Sequence, residues 1–352
     1  MSIRSKRFAY RLATPEDSRQ ILDVIESGSF SGDISVLFTR RPDPVASMLQ
    51  EGHLVLIPVM VDLENNKICG VGCCVIRKAF INGQIMRVGY LMGLKVHADY
   101  QRRVPFMSEA YQYTYEQTRQ HVDLYYTTIL KDNLTAKKLL EKKRRNMPEY
   151  RPVSDYTVYC FRRGKNGSLP GMVFEKGNTA GLQEFYQQEL SKTHLAPEDR
   201  HLPGLSDSDF YTLRDSQGTI LAACAVWNQQ PSKQYIVTGY SGIYRCVKHL
   251  PLHWLGYPNL PKENLPANYG SIALFCAKDH DPTIAASFIH QVAKHSKNYD
   301  FLMAGFTENH PLTPVFQKLK HIKYQSTLYT VHWETPSPIL DDRPIHLEVG
   351  LL

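Results

Sequence analysis

The residues able to do chemistry lie in a few short stretches of the chain. His97 and Asp99 close a long apolar run, and Gln101, Arg102 and Arg103 follow at once. An imidazole and a carboxylate two residues apart at a strand end could relay a proton. Arginines there could hold an anion through charge-assisted bonds, although two arginines in a turn are also an ordinary solvated feature. Lys137-Lys-Leu-Leu-Glu-Lys-Lys-Arg-Arg145 carries six cations and one anion over nine residues. On a helix, Leu139 and Leu140 would face inward and the cations outward. A solvated face is the first reading of that run. A phosphate contact or a nucleic-acid patch is the sharper one, but no aromatics interleave the cations. His249 with His253, and His290 with His295, have metal-like spacing without a third ligand in a defined motif, so no metal is expected. There is no P-loop, dinucleotide fingerprint or nucleophile elbow.

The elements that must position these groups can be read from period and turn chemistry. The 352 residues suit two domains better than one core. Hydrophobic residues at 43% and charged residues at 21% are those of a folded chain, which excludes a disordered or fibrous one. The longest apolar run is Leu54–Val61, far short of the roughly 20 residues that span a bilayer. The basic start, Met1 to Arg7, leads into no apolar signal core. A cytoplasmic protein with no membrane partner is therefore expected. Seven cysteines form no Cys-x-x-Cys pair, and Cys69, Cys73 and Cys74 sit in a strand-like run, so reduced, buried thiols are expected. The net charge of +7 favours an anionic ligand without identifying one.

Leu12-Ala-Thr-Pro-Glu-Asp opens a helix carrying Ile21, Leu22 and Ile25, and a second helix follows Arg41-Pro-Asp-Pro. Strands are expected at 53–62, 67–78 and 85–97, joined by Glu64-Asn-Asn and Asn82-Gly83 as an antiparallel meander. A helix over 104–121, a strand over 124–130, a basic helix over 135–145 and a strand over 156–162 complete a mixed α/β unit. Arg163-Gly-Lys-Asn-Gly-Ser-Leu-Pro-Gly171 reads as a linker. The same grammar then returns, with strands at 172–175, 210–214, 220–227, 271–277, 301–306 and 327–333. Helices fall near 180–190, 283–295 and 314–319. Strand, Asp132-Asn133, helix and Tyr156-Thr-Val match strand, Glu308-Asn309, helix and Tyr329-Thr-Val, which suggests a duplication with a period near 175 residues. The expected fold class is thus mixed α/β, with a predominantly antiparallel sheet flanked by helices in two tandem units. These are 5–164 and 171–335, with a tail over 336–352. The Pro- and Tyr-rich stretch 228–268 is either an insert folded over its own domain or a cover for an acceptor site.

The first half, roughly residues 8–162, resembles a GNAT-type N-acetyltransferase. The resemblance rests on Gly89-Tyr-Leu-Met-Gly-Leu-Lys-Val-His-Ala-Asp-Tyr-Gln-Arg-Arg103 and on Lys131-Asp-Asn-Leu-Thr-Ala-Lys-Lys-Leu-Leu140. Phe38-Thr-Arg-Arg-Pro-Asp43 and Asn82-Gly83 are similar to a bacterial subgroup of tandem GNAT-like proteins. In that family a strand ends in a Gln/Arg-x-x-Gly-x-Gly/Ala loop whose N–H groups, with a helix N-terminus, hold the coenzyme A pyrophosphate. The resemblance implies a cofactor-binding set of Leu94, Val96, Gln101, Arg102, Arg103, Val104, Phe106, Asn133 and Ala136, with acetyl-CoA as co-substrate. The match is partial. The expected glycines fall on Val104 and Phe106, and Pro105 has no N–H to offer.

The same resemblance puts Tyr90 and the backbone of Met92–Leu94 at the reacting carbonyl, with His97 and Asp99 as proton relay. These three side chains are the catalytic candidates. Glu109, on the following helix, reads as one member of a surface pair. The family's helix tyrosine, seven residues after the asparagine, is Leu140 here and Phe316 in the second half. The loop Lys278-Asp-His-Asp-Pro-Thr283 has neither glycine nor arginine, so only the first half is expected to bind coenzyme A. The basic run would lie at the adenosine-phosphate end. The implied reaction is acetyl transfer to the amine of a small-molecule or peptide acceptor by direct attack. Two alternatives remain. One is an aminoacyl transferase drawing on charged tRNA, for which the basic helix and lost glycines are suited. The other is a catalytically inactive protein that binds an acyl-CoA or holds a protein partner.

Overall fold

The computed structural model describes residues 7–29, 32–101, 107–142, 144, 146–163, 169–333 and 337–352. The first half runs β1 (Phe8–Leu12), α1 (Ser18–Glu26), β2 (Ile34–Thr39), α2 (Pro44–Leu49), β3 (Leu54–Leu56), β4 (Pro58–Asp62), β5 (Lys67–Ile81), β6 (Gln84–Val96), α3 (Met107–Thr118), β7 (Leu124–Leu130), α4 (Leu134–Leu140) and β8 (Glu149–Phe161). The second runs β9 (Val173–Lys176), α5 (Leu182–Leu190), β10 (Phe210–Arg214), β11 (Ile220–Trp227), β12 (Gln234–Tyr240), α6 (Gly242–Val247), β13 (Tyr269–Ala277), α7 (Pro282–His295), β14 (Phe301–Thr307), α8 (Thr313–Gln317) and β15 (His321–His332).

Local chemistry explains many of these boundaries. Thr14 and Asp17 form a reciprocal capping box ahead of α1. Asp43 accepts from the Ala46 amide at 2.9 Å, with Pro44 opening α2. Asn82 and Gly83 both take positive φ, 53° and 77°, the primed turn that closes β5 onto β6. The α4 helix stops at Leu140, short of the expected end, where like-charged residues crowd successive turns. The β8 strand begins seven residues earlier than its Tyr156 motif suggested.

Among the described residues, thirteen strands form one sheet in the order β1-β4-β5-β6-β7-β15-β8-β14-β13-β11-β10-β9, with β3 on β5. The last strands of the two halves are exchanged. The β15 strand pairs with β7, β8 pairs with β14, and β8 and β15 pair with each other, all antiparallel. Alternation along β6 and β7 divides the core. Val88, Tyr90, Leu124 and Tyr126 pack with Ile21, Val24, Val45 and Met48 of α1 and α2. Tyr125 and Ile129 point the other way, to Tyr111, Leu140 and Tyr150.

Two features differ from the sequence expectation. The β2 strand occupies what read as a connection. Its partner is β12, so the insert crosses to the first half instead of folding over its own. A pairing between residues about 200 apart has no local turn to announce it. All seven cysteines are free thiols, but Cys246 is exposed and Cys160 half-buried.

Candidate active site

The β6 and β7 strands run parallel for only three pairs, Val88–Leu124, Gly89–Tyr125 and Tyr90–Tyr126, and then part. Thr127 holds the fork, its Oγ1 donating to the Leu91 carbonyl at 2.7 Å. Three residues past Tyr90, Gly93 takes φ +65° and the pairing with β5 slips by one. The second half repeats this plan. The β13 and β14 strands pair at Tyr269–Phe301, Gly270–Leu302 and Ser271–Met303, and Leu274, three residues past Ser271, takes φ +54° beside a register slip. Gly89 and Gly270 hold equivalent places for one reason. A Cβ at the first would meet Tyr125 and Val122 at 2.9 Å, and at the second Val226 at 2.9 Å.

The two forks differ in what fills them. In the first, Gly93 and Leu94 are exposed, and a Cβ at Gly93 would have no neighbour within 4 Å. In the second, every residue of β13 is buried, and the chain's own residues 344–352 occupy the gap. The Glu348 carboxylate accepts from the Leu274 amide at 2.9 Å. Tyr156 donates to the Leu347 carbonyl and Thr307 to the Ile345 carbonyl, both at 3.0 Å. His346 and Glu348 pair at 2.8 Å. The backbone donor that the bulge turns into the second fork is thus satisfied internally.

The helix ends repeat that contrast. Asn133 caps α4 by accepting from the Ala136 amide at 3.1 Å. At α7, Asp281 accepts from Thr283 and Ile284 amides at 2.7 and 3.1 Å, so a fixed carboxylate already sits where an anion would bind. Asp279 in the same turn pairs with Lys192 at 2.9 Å. Leu140 and Phe316, the positions of the family's acid, are both buried apolar residues.

The residues singled out from sequence that the structure describes each have a definite place. Tyr90 is buried, its hydroxyl bonded to Thr128 Oγ1 at 3.0 Å and its ring 5.0 Å from Tyr126. Burial pushes its pKa well above the ordinary phenol value, so it stays protonated. His97 ends β6, and its Nδ1 accepts from the Asp99 amide at 3.2 Å. A neutral His97 bonded in this way carries its proton on Nε2. The Asp99 side chain is exposed. Seven residues of strand, roughly 20 Å, separate Tyr90 from His97. The structure therefore does not gather the two at one reacting atom. Leu94, Val96 and Gln101 line the course of β6 from the bulge to the turn after it, and Ala136 lies on the first turn of α4. Arg102, Arg103, Val104 and Phe106 lie outside the described residues.

Sequence reasoning missed a buried ionic cluster behind the fork. Glu51 is ringed by Arg40, by Arg77 at 3.4 Å and by Lys233 Nζ at 3.0 Å. Arg77 also donates from Nε to the Glu51 carbonyl at 2.6 Å, and Lys233 donates to the Gly350 carbonyl at 2.8 Å. Arg40 Nη2 lies 3.9 Å from Met92 Sδ, beside the bulge. Burial alone would raise Glu51, but Lys233, Arg40 and Arg77 outweigh it and hold the carboxyl below its usual range. Burial lowers Lys233 to about 8, against the pull of Glu51. Four distant segments meet here, so no local spacing could have revealed it. No group of three or more His, Cys, Asp or Glu side chains among the described residues is placed to hold a metal ion.

This fold is that of the GCN5-related N-acetyltransferases. A GCN5-related N-acetyltransferase from Sphaerobacter thermophilus superposes with a TM-score of 0.58 at 13% identity, over 96% of this chain and 98% of that one. The N-myristoyltransferase of Saccharomyces cerevisiae, solved with bound myristoyl-CoA, gives 0.59 at 10% identity, over 99% and 90%. A GCN5-related glucosamine N-acetyltransferase region of a fungal multi-domain GH3 β-N-acetylglucosaminidase gives 0.61 at 15%, over 92% of this chain and 38% of that one. No protein-family model matches the chain, and no curated protein matches its sequence.

Proposed function

We propose that the chain is an acyl-CoA-dependent N-acyltransferase whose one working site is the open fork between β6 and β7. The carrying observation is the contrast between two like-built forks, one open to solvent and one filled by residues 344–352. We read the chain as two GNAT-type units, 5–164 and 171–335, that have exchanged their last strands, with 336–352 as the segment closing the second fork. The pantetheine arm would pair with the free edge of β6 along Leu94 and Val96, flanked by Asn133 and Ala136. Gln101, Arg102, Arg103, Val104 and Phe106 would meet the pyrophosphate, with the cations of the 137–145 run toward the adenosine end.

In the reaction the acceptor amine attacks the thioester carbonyl carbon. Negative charge gathers on the carbonyl oxygen, the C–S bond breaks, and coenzyme A leaves as thiolate. An amide near Gly93, at the bulge, would stabilise that oxyanion. The amine must lose one proton, and the departing thiolate takes one up to leave as the thiol. In the tautomer its Nδ1 bond dictates, His97 does not accept at Nε2, so as a base it would first release the Asp99 amide. We assign acetyl-CoA as the donor because the GNAT resemblance implies it. The acceptor would enter over β2 and β12, where the insert crosses the first half.

Calorimetric titration with acetyl-CoA tests this reading. Micromolar binding with a stoichiometry of one is expected, and Arg102→Glu/Arg103→Glu should weaken it at least tenfold. No heat at millimolar acetyl-CoA would overturn the reading, and unchanged affinity in the double variant would remove the arginines from the site.

A further inference from the structure

The insert carries a surface that acyl transfer does not explain. After β12 the chain folds into a short knob over 241–262, pinned at both ends. Asn264 donates to the Val237 carbonyl at 2.8 Å, Tyr240 donates to the Pro261 carbonyl at 2.6 Å, and Lys248 pairs with Glu263 at 2.9 Å. Within it, Tyr257 closes back on the Leu252 carbonyl at 3.2 Å. The side chains held out by this framework are large and apolar. Trp254 is 75% exposed, Ile243 71%, Leu255 63% and Leu250 54%. A tryptophan is seldom left so open on a soluble surface, and a patch of this kind marks a contact.

The charge pattern identifies the partner. From Ser241 to Lys262 there is no aspartate or glutamate, while Arg245, Lys248 and Lys262 are cationic. The carboxylates that meet the segment are at its margins, Glu263 on Lys248 and Asp33 on Ser241. A self-pairing of two such knobs would place like charges together, which disfavours a second copy as occupant. Exposed tryptophan and leucine side chains beside cations, without acids, form the pattern that settles in the interface of an anionic bilayer. We propose that this knob docks the protein on an anionic lipid surface, with Trp254 and Leu255 entering the headgroup region. No described helix is long and apolar enough to cross a membrane.

Sedimentation of the full chain with vesicles of phosphatidylcholine, with and without 30% phosphatidylglycerol by mole (about that fraction is a common anionic load), tests the proposal. Binding is expected to the anionic vesicles only, to fall with added salt, and to drop about tenfold or more in Trp254→Ser/Leu255→Ser. Both positions are exposed, so the variant should fold. Arg245→Glu/Lys262→Glu should weaken binding with the apolar side chains intact. Brominated lipid should quench tryptophan emission in the parent and not in the double serine variant, because Trp227 is buried and Trp333 is stacked on Tyr115 against a core cluster. Absence of binding to anionic vesicles would overturn the proposal, as would binding that the serine variant retains. A dimer in sedimentation velocity that the same variant dissociates, without vesicle binding, would assign the knob to a second copy instead.

Discussion

Glu51 joins the first half to the insert through Lys233, and Lys233 in turn holds the terminal segment at the Gly350 carbonyl. Glu51 is the only carboxylate of a buried group whose other charged members are Arg40, Arg77 and Lys233. Removing the charge strands cations that burial has stripped of water. Glu51→Gln should therefore lower unfolding free energy by about 3–5 kcal/mol, read from a urea titration. Glu51→Gln/Lys233→Met should recover part of that, because one unpaired cation leaves with its partner. A loss below about 1 kcal/mol in the single variant would mean that water reaches the cluster. At this scale the sequence was legible where a residue acts on its neighbours, as with Asn133 capping α4. It was opaque where residues meet from afar, as Lys233 meets Glu51. His97 illustrates the middle ground, since its place at a strand end was readable but its bond to the Asp99 amide, which fixes the tautomer, was not.

Elements show the same division. The β5–β6 hairpin followed from Asn82-Gly83 and from alternation. The β2–β12 pair did not, because neither strand has its partner nearby in sequence. Residues 344–352, Pro-Ile-His-Leu-Glu-Val-Gly-Leu-Leu, do carry a signal in their strict apolar alternation through Ile345, Leu347 and Val349, all of them buried. That alternation was available in the sequence and points to an inserted, extended segment. Its seat should be sensitive to acid. His310, packed against His346 of the segment and His280 of the loop after β13, is held well below the ordinary imidazole pKa by burial first and by those neighbours second. His280 is lowered by burial and by His346, with Glu189 and Asp279 opposing and Lys192 adding. The unfolded chain takes up these protons at the ordinary value and the folded chain resists them. Their contribution is thus complete above pH about 6.5 and is lost as pH falls below it, by up to about 1.4 kcal/mol per pH unit for the buried His310 and by less for the part-exposed, solvent-screened His280. Denaturation at pH 7.5, 6.0 and 5.0 should show this decline, and His310→Asn should flatten it. An unchanged slope in that variant would place the acid sensitivity elsewhere.

Across the whole molecule, the two halves share a backbone plan around their parallel pairs, but the Asp132-Asn133 and Glu308-Asn309 match does not carry it, since Asn133 caps α4 and Leu312, not Asn309, stands at the start of α8. Each half forks its parallel pair after three residues and bulges three residues later. Exchange of β8 and β15 was invisible in sequence, because a strand that closes its own half and one that closes its neighbour have the same pattern. What distinguishes the halves is occupancy, one fork lined by exposed backbone and the other filled by protein. Hydrogen exchange with and without saturating coenzyme A measures that distinction directly. Protection should rise over 91–101 and 127–136 and stay unchanged over 272–281 and 344–352. Protection gained in the second set, with release of 344–352, would contradict the assignment of the working site to the first fork.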